Sequence, residues 1–371
     1  MVAGSNPARP TKISCIKKDY PLWRVILFYL PNYFGVCFML LSSMNKKPNI
    51  LIYGEVFIDE FLGQKVVGGG PLNVARTMSL LGDTPLLISR LGDDDNAQLI
   101  QAEMLRTGLM NEGVQIDATH PTGRVLLSES DSGDMANHHV DVLGQQAFEF
   151  IEEAPVSDLL DQYFQEAPPD LIYFGSLILS APQSKQTLLS LLESDLTEGA
   201  TKFLDLNLGD ERMSADALTE ALNYADIVKL NARALGFVLA NCCQHTSLSM
   251  PELSMDITGL QSACELLMEQ FFMQAIIVTL GERGYFYFDA DAQVLSSLSH
   301  EEAQVSLTKM TDVASTEDAF AAMFIHGWSQ SWRMQKTLVA AHEFATAIVK
   351  LPDAMVESAA FYQSWHERLT G

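Results

Sequence analysis

Residues 68–75 combine a run of glycines with a polar side chain that can contact a ligand. Gly68, Gly69 and Gly70 lack side chains, so their backbone N–H groups can approach a bound molecule and the chain can adopt positive φ angles. Asn73 follows one turn later and offers both a hydrogen-bond donor and an acceptor. This segment suits a polar ligand, although a tight strand-to-helix turn needs the same glycines.

A second candidate lies at residues 311–320, where polar residues lead into an apolar helix. Helix N-termini favour anions, so this segment suits a phosphate site with Asp318 as a carboxylate in the first turn. Thr316, Glu317 and Asp318 are also residue types that commonly cap helices. The residue types alone leave both interpretations open.

Two common nucleotide-binding motifs are absent from the sequence. The glycine run does not match the G-x-G-x-x-G fingerprint, because Asn73 stands in place of the third glycine. No G-x-x-x-x-G-K-[ST] loop occurs anywhere in the chain. The sequence therefore disfavours a Rossmann-type dehydrogenase and a P-loop enzyme.

The elements that must position these residues alternate between short apolar runs and amphipathic helical stretches. Strand-forming residues dominate the apolar runs and predict buried strands at residues 50–53, 171–174, 203–206, 227–230 and 275–280. Helices are expected between them, for example at residues 184–192. This alternation predicts an α/β fold with a mainly parallel central sheet and helices on both faces. The more polar, alternating residues 122–142 predict a small exposed sheet.

The composition of the 371-residue chain limits the classes of protein to which it can belong. Hydrophobic residues make up 48% of the chain, which is enough for a sizeable core. The 47 acidic residues outnumber the 23 basic ones, and the formal charge of −24 would repel a phosphate backbone, so nucleic-acid binding is not expected. The five cysteines show no C-x-x-C spacing, which favours free thiols in a reducing cytoplasm.

The first 43 residues differ from the rest in charge and hydropathy. They carry five basic residues against one acidic residue, and residues 22–41 are apolar over about the length of a membrane span, with Arg24 and Pro31 as interruptions. A membrane anchor and a signal sequence are open alternatives. The string GSNPARPT at residues 4–11 also matches the translated end of a transfer-RNA gene, which favours a mis-assigned start. We therefore expect a functional protein of residues 44–371 that, starting at Met44, has no membrane association.

Short motifs follow one another in a fixed order from residue 50 to the C-terminal region. They are G-E-V-F-I-D (54–59), G-G-G-P-L-N-V-A (68–75), S-R-L-G-D-D (89–94), D-L-N (205–207), K-L-N (229–231), V-T-L-G with Gly284 (278–284) and T-D-V-A-S-T-E-D-A-F (311–320). Together they resemble the motifs of the PfkB or ribokinase-like carbohydrate kinases, most closely the fructokinase-like branch. The resemblance implies a ribokinase-like α/β fold with a small β-sheet lid near residues 59–67 and 122–143, which in that family often forms a homodimer contact.

The same resemblance implies an ATP-dependent kinase that phosphorylates a primary hydroxyl of a sugar or sugar-like alcohol, with Mg²⁺ accompanying the nucleotide. Asp318 would be the general base that accepts the proton of the attacking hydroxyl. Asp59, Gly69 and Asn73 would hold the sugar hydroxyls. The nucleotide would lie along Asn231, Thr279, Gly281, Gly284 and Asp312, and the anion hole would consist of Ser315, Thr316 and Glu317.

The phosphate end departs from the family's pattern. Residues 315–317 replace a G-A-G sequence, and Glu317 adds a negative charge. Two unit charges 4 Å apart interact by about 1 kcal/mol in water and about 4 kcal/mol at an effective dielectric constant near 20. A Glu317 that faces the γ-phosphate would therefore slow transfer, whereas one rotated into solvent would cost far less. Other family residues are replaced by Ala234 (the glutamate of N-x-x-E), Gly209 (the arginine of D-x-N-x-R) and Val313 (a threonine).

Two functions remain open on the sequence alone. The first is a fructokinase-like kinase with attenuated activity. The second is a catalytically impaired protein that binds sugar or nucleotide without turnover. The departures at the phosphate end, set against near-complete agreement at the sugar end, lead to both.

Overall fold

The computed structural model describes most of the chain from Asn49 onward. The described residues are 49–61, 63–128, 139–142, 144–164, 167–207, 214–242, 254–298, 305–306, 314–351 and 358–370. Lys47–Gly371 forms one compact unit, and residues 1–46 lie outside the described residues. Asp312, the side chain of Ser315 and the apolar stretch 22–41 also lie outside them, so the expectations for those residues stay predictions.

The apolar runs form the strands of a large central sheet, in which nine strands are described. Its order is β14-β13-β12-β10-β9-β8-β1-β4-β5, and the seven neighbouring strands from β12 to β5 run parallel. Two antiparallel strands extend it beyond β12. The strands are β1 (Ile50–Tyr53), β4 (Leu86–Gly92), β5 (Val114–Asp117), β8 (Leu171–Gly175), β9 (Thr201–Leu206), β10 (Ile227–Asn231), β12 (Ala275–Thr279), β13 (Tyr285–Asp289) and β14 (Val294–Ser296).

Helices cover both faces of this sheet and bury most of its strands completely. Every residue of β1, β4, β8, β10 and β12 is buried, as expected for parallel strands covered on two sides. One apolar core holds side chains of α3–α7, and the other holds side chains of α1, α2 and α8–α10. The helices are α1 (Gly70–Leu80), α2 (Asp95–Arg106), α3 (Glu153–Tyr163), α4 (Pro182–Glu193), α5 (Ala215–Tyr224), α6 (Ala232–Cys242), α7 (Ile257–Phe271), α8 (Ala314–Ser329), α9 (Met334–Val349) and α10 (Ala359–Thr370).

Helix α8 is the most enclosed of the helices that carry candidate residues. Every residue from position 316 to position 327 is buried. It packs against α9 and α1, and Phe324 contacts Phe203 of the central sheet with ring centroids 5.6 Å apart. A helix that is apolar on all sides belongs in a protein interior, so α8 forms part of the core itself.

A separate four-stranded sheet lies outside the central one. It consists of β2 (Phe57–Phe61), β3 (Gln64–Gly68), β6 (Gly123–Ser128) and β7 (His139–Val142), in the order β3-β2-β6-β7. The chain leaves the central sheet at the end of β1, forms the β2–β3 hairpin, and returns at the start of α1. This excursion brings β2 and the glycine run to the carboxyl end of β1. A further short antiparallel pair joins β11 (Ser254–Met255) to β15 (Val305–Ser306).

The predicted α/β fold, with its mainly parallel sheet, helices on both faces and small separate sheet, is confirmed. Element ends differ by a few residues. The helix expected at residues 184–192 begins at Pro182, because proline fits the first turn, where no intrahelical bond needs its missing N–H. In the part of the chain described, no helix is both long enough and apolar enough to cross a membrane.

Candidate active site

The candidate residues meet at the edge of the central sheet where its parallel strands end. Ligands in open α/β sheets usually bind at this edge, outside the carboxyl ends of the strands. The N-terminal parts of α1 and α8 reach the same place, and α8 carries the carboxylate of Asp318. Because α8 begins at Ala314, Asp318 lies one turn further into the helix than the sequence suggested.

Asp318 lies directly against the glycine run. Its side chain is buried, with the residue only 4% exposed. One carboxylate oxygen, Oδ2, accepts a 2.9 Å hydrogen bond from Nδ2 of Asn73. The other, Oδ1, is buried without a hydrogen-bond partner and lies 3.2 Å from the position that a Cβ atom on Gly70 would occupy. One oxygen is therefore held in place, and the other is buried beside Gly70 with its hydrogen-bonding capacity unused.

The glycine run is required by close packing. Gly69 has φ 112°, and a Cβ atom there would lie 2.6 Å from the carbonyl oxygen of Glu55. A Cβ atom on Gly68 would collide with the carboxylate of Asp59. Glycine is therefore required at position 69, whereas a side chain at position 68 would displace the Asp59 carboxylate from its place against the turn. Burial raises the pKa of Asp59 to about 6.

Arg76 and Glu103 hold the side chain of Asn73 in one orientation, on the side opposite Asp318. Nη2 of Arg76 donates to Oδ1 of Asn73 at 3.0 Å, and Nη1 of Arg76 lies 3.1 Å from Oε1 of Glu103 on α2. Arginine can only donate, so the amide oxygen of Asn73 must face Arg76 and its NH₂ group must face Asp318. The arginine thereby orients the amide that holds the Asp318 carboxylate.

Glu317 takes neither of the two orientations considered from the sequence. Its carboxylate is buried beneath the site, 2.6 Å from Nζ of Lys229, and it accepts a 2.9 Å hydrogen bond from the hydroxyl of Thr279. Lys229 is 0% exposed and also pairs with Asp205 at 2.9 Å. The extra negative charge therefore faces an ammonium group inside the protein, and the repulsion expected for a Glu317 aimed at a phosphate does not apply.

The buried cluster of Asp205, Lys229 and Glu317 extends across neighbouring strands of the central sheet. The hydroxyl of Tyr173 on β8 donates to Asp205 at 3.2 Å, so hydrogen bonds run from β8 through β9 and β10 to α8. Burial alone would lower the pKa of Lys229, but the carboxylates of Asp205 and Glu317 raise it above its ordinary value. The lysine is therefore charged, and it compensates the charge of two buried acids.

Glu55 is a buried acid that belongs to the G-E-V-F-I-D motif and was assigned no role from the sequence. It follows β1, is 5% exposed, and its Oε2 has no hydrogen-bond partner. Its carboxylate lies 3.7 Å from the position of a Cβ atom on Gly70, on the same glycine that contacts Asp318. Burial raises the pKa of Glu55 to about 8, and the charges of Asp318 and Asp205 add to that rise. A glutamate two residues after the end of a fully buried strand was the signal available in the sequence.

Burial also raises the pKa of Asp318 to about 7, against the lowering effect of the hydrogen bond from Asn73. A carboxylate with this pKa is a stronger base than an exposed aspartate, and about half of it is ionised at pH 7. The site thus contains a positioned carboxylate of raised pKa beside a glycine, which suits proton removal from a hydroxyl group.

The residues expected along the nucleotide occupy the neighbouring strand ends. Thr279 ends β12 and contacts Glu317, whereas Gly281 and Gly284 form the turn to β13 with φ angles of 59° and 135°. In that turn the N–H of Leu280 donates to the carbonyl oxygen of Gly284 at 2.9 Å. Asn231 ends β10, and its Oδ1 accepts the N–H of Ala234 at 2.8 Å, so this side chain caps α6. Thr316 is buried on α8.

Comparison with known proteins places the chain among sugar kinases. A sequence model described as "pfkB family carbohydrate kinase" matches residues 45–358. A curated relative, probable fructokinase-3 of Arabidopsis thaliana, is 25% identical over 276 residues, which cover 67% of this chain and 70% of the relative.

Two solved structures share the fold. Fructokinase from Xylella fastidiosa with bound ATP has a TM-score of 0.67 and 16% identity, over 88% of this chain and all of that one. A double mutant of Vibrio cholerae fructokinase, with fructose, ADP and potassium ion bound, has a TM-score of 0.63 and 18% identity, over 86% of this chain and 99% of that one.

Proposed function

Because the chain belongs to the pfkB family of carbohydrate kinases, we propose that it transfers the γ-phosphoryl group of ATP to a primary hydroxyl of a sugar, with fructose-type sugars as the first candidates. The observation that carries the proposal is the buried carboxylate of Asp318. One of its oxygens is fixed by Asn73, and the other is unpartnered beside Gly70, where an attacking hydroxyl can bind.

In this proposal Asp318 accepts the proton of the sugar hydroxyl as its oxygen attacks phosphorus in line with the leaving ADP. Asp59, on the small sheet, and Asn73, on α1, would hold other hydroxyls of the sugar together with the backbone of Gly69. A site built from such groups selects hydroxyl-bearing ligands, because an analogue without the hydroxyl leaves buried polar atoms unpaired. The small sheet, near residues 59–67 and 122–143, would act as a lid that excludes water.

The nucleotide would lie along the strand ends that carry Asn231, Thr279, Gly281 and Gly284, with Asp312 beside it. Residues 315–317 would bring backbone N–H groups at the start of α8 to the γ-phosphate, where the helix dipole favours negative charge. The ion pair of Glu317 with Lys229 supports this role, because the carboxylate is neutralised and held at 2.6 Å from the ammonium.

Mg²⁺ is proposed to reach the site on the phosphates of ATP. In the family's N-x-x-E motif the glutamate position is Ala234 here, and the oxygen of Asn231 is already used to cap α6. Among the residues described, no cluster of three or more histidine, cysteine or acidic side chains could hold a metal ion. The described side chains therefore do not fit a protein-held divalent cation, whereas Mg²⁺ commonly binds mainly through phosphates and water.

The second candidate is a protein that binds sugar or nucleotide without turnover. The observation that favours it is the loss of small residues at positions 315–317 together with Ala234. A cytoplasmic location, a homodimer through the small sheet and the absence of nucleic-acid binding remain predictions from the composition and the family resemblance. Cys242 and Cys264 are buried free thiols, which suits a reducing compartment.

A coupled assay of ADP release across a panel of sugars and nucleosides, with a chain that starts at Met44, tests the proposal. We expect sugar-dependent ADP release that needs Mg²⁺ and falls at least about a thousandfold in Asp318→Asn, because that change removes the base. Asp158→Asn, at an exposed position of α3, is the matched control and should keep full activity. Thermal stabilisation by a sugar without any ADP release would instead support the binding-only candidate.

A further inference from the structure

Two buried carboxyl groups flank one α-carbon in the site. A Cβ atom on Gly70 would lie 3.2 Å from Oδ1 of Asp318 and 3.7 Å from Oε1 of Glu55. Oδ1 of Asp318 and Oε2 of Glu55 are both buried without a hydrogen-bond partner. Only Asp318 has a role in the proposed reaction, so the second carboxyl needs its own explanation.

Within the described part of the chain, the surroundings of this pair do not hold enough positive charge for two ionised acids. Besides Glu55 and Asp318, the described ionisable groups that face the pair are Tyr173 on β8, Asp205 on β9, Lys229 on β10 and Glu317 on α8. Lys229 is already paired with both Asp205 and Glu317. An isolated carboxylate is very costly to bury, so a group in this position takes up a proton instead.

We propose, on the basis of the kinase function proposed above, that Glu55 is a positioning residue that keeps a proton beside the base. With Glu55 neutral, Asp318 is the one anionic carboxylate beside Gly70 and can accept the hydroxyl proton. When Glu55 also loses its proton, a second negative charge lies next to the place where phosphoryl transfer develops charge.

The raised pKa values of the two acids agree with this role. The pKa of Asp318 is raised to about 7, and that of Glu55 is raised further, to about 8. The backbone N–H of Gly70 also interacts with the Glu55 carboxyl and holds that side chain against the glycine turn. The pair therefore loses its protons in succession, and between the two steps one proton remains.

The test is the pH profile of kcat/KM for the wild-type protein and for Glu55→Gln. The wild-type profile should rise as Asp318 ionises and then fall about tenfold on the alkaline side, because like charges a few ångströms apart repel. Glu55→Gln mimics the protonated acid, so the rise should stay in place and the alkaline fall should shrink to less than about twofold. Glu269→Gln, at an exposed position of α7, is the matched control.

A purely structural Glu55 would lower kcat/KM at every pH without changing the shape of the profile, and that result would overturn the proposal. If Glu55→Gln does not fold, Glu55→Asp keeps an ionisable group one methylene further from Asp318, so its alkaline fall should be shallower than in the wild type. An alkaline limb equal to that of the wild type would also overturn the proposal.

A second measurement separates this proposal from the proposed function. In chemical unfolding between pH 5.5 and 7.5, the raised pKa of Glu55 should increase the unfolding equilibrium constant of the wild type about tenfold per pH unit relative to Glu55→Gln. If no sugar is phosphorylated but this slope is found, the kinase function fails and the held proton stands. If the two proteins show equal slopes, the proposal about Glu55 fails.

Discussion

Replacement of Lys229 by methionine is the sharpest test of the buried cluster. The ammonium group is fully enclosed and lies 2.9 Å from Asp205 and 2.6 Å from Glu317. Lys229→Met removes the positive charge and leaves two buried carboxylates without a counter-charge. Removing one partner of a buried ion pair typically costs about 3–5 kcal/mol, so we expect a loss of that size in the free energy of unfolding.

The control for Lys229→Met is Lys185→Met. Lys185 lies 2.7 Å from Glu220, but both side chains are partly exposed, at 25% and 42%. Exposed pairs contribute about 0–1 kcal/mol, so the control should change stability by less than about 1 kcal/mol. The assay is urea unfolding at pH 7, with midpoint and slope compared among the variants.

The double variant Lys229→Met with Glu317→Gln gives the most discriminating result. Glu317→Gln alone keeps a hydrogen-bond acceptor for Thr279 and leaves Lys229 paired with Asp205, so we expect a loss of about 1–2 kcal/mol. In the double variant only one uncompensated carboxylate remains. We therefore expect the double variant to be more stable than Lys229→Met alone, by about 1–3 kcal/mol.

The pH dependence gives an independent check. Burial raises the pKa of Asp205 and the charge of Lys229 opposes that rise, so without Lys229 the pKa of Asp205 should rise further and the folded protein should bind protons more readily than the unfolded chain. Stability of Lys229→Met relative to wild type should therefore recover as the pH falls from 7 to 5 and decrease as it rises. A double variant no more stable than Lys229→Met, with no recovery in acid, would refute the charge-compensation reasoning.

Three further predictions concern the base and its neighbours. Gly70→Ala should keep the stability of the fold but lower kcat/KM about a hundredfold, because the added methyl group would lie 3.2 Å from Oδ1 of Asp318, in the space proposed for the hydroxyl. Steady-state kinetics measure the change in kcat/KM, and a melting curve measures the stability. Arg76→Met should lower kcat/KM for the sugar about tenfold through loss of the Asn73 orientation, and an unchanged value would contradict the role given to Arg76. Activity should fall as the pH drops through about 7, because Asp318 must be ionised, and a pH–rate profile that stays flat down to pH 5 would exclude Asp318 as the base. The raised pKa of Asp318 should also make folding stability decrease as the pH rises from 3.8 to about 7.

The fold was predictable because its signals are local. Five of the seven parallel strands contain a short, mainly apolar run that the sequence predicts as a strand, such as residues 275–280, and helices on both faces make such runs continuous instead of alternating. The meeting of the glycine run with Asp318 was also predictable, because strand-to-helix turns of a parallel sheet collect at one edge.

The orientation of Glu317 could not be predicted from the sequence. Its partner Lys229 lies within an apolar strand 88 positions away, and no spacing rule links a lysine on one strand to a carboxylate on a distant helix. Local reasoning offered only the phosphate and the solvent as surroundings for the charge. Glu55 was missed in the same way, because its significance depends on the distance to Asp318 through Gly70.

The enclosure of α8 has a consequence for how the site exchanges with solvent. Amide hydrogens in a helix that is buried along positions 316–327 exchange through cooperative opening of the core and not through local fraying. Asp318, the proposed base, therefore lies on a helix that we expect to be among the last parts of the molecule to open. Asp59, in contrast, lies on the β2–β3 hairpin of the small peripheral sheet. We therefore expect the hairpin to move when the site adapts to differently shaped ligands, while Asp318, the proposed proton acceptor, stays fixed.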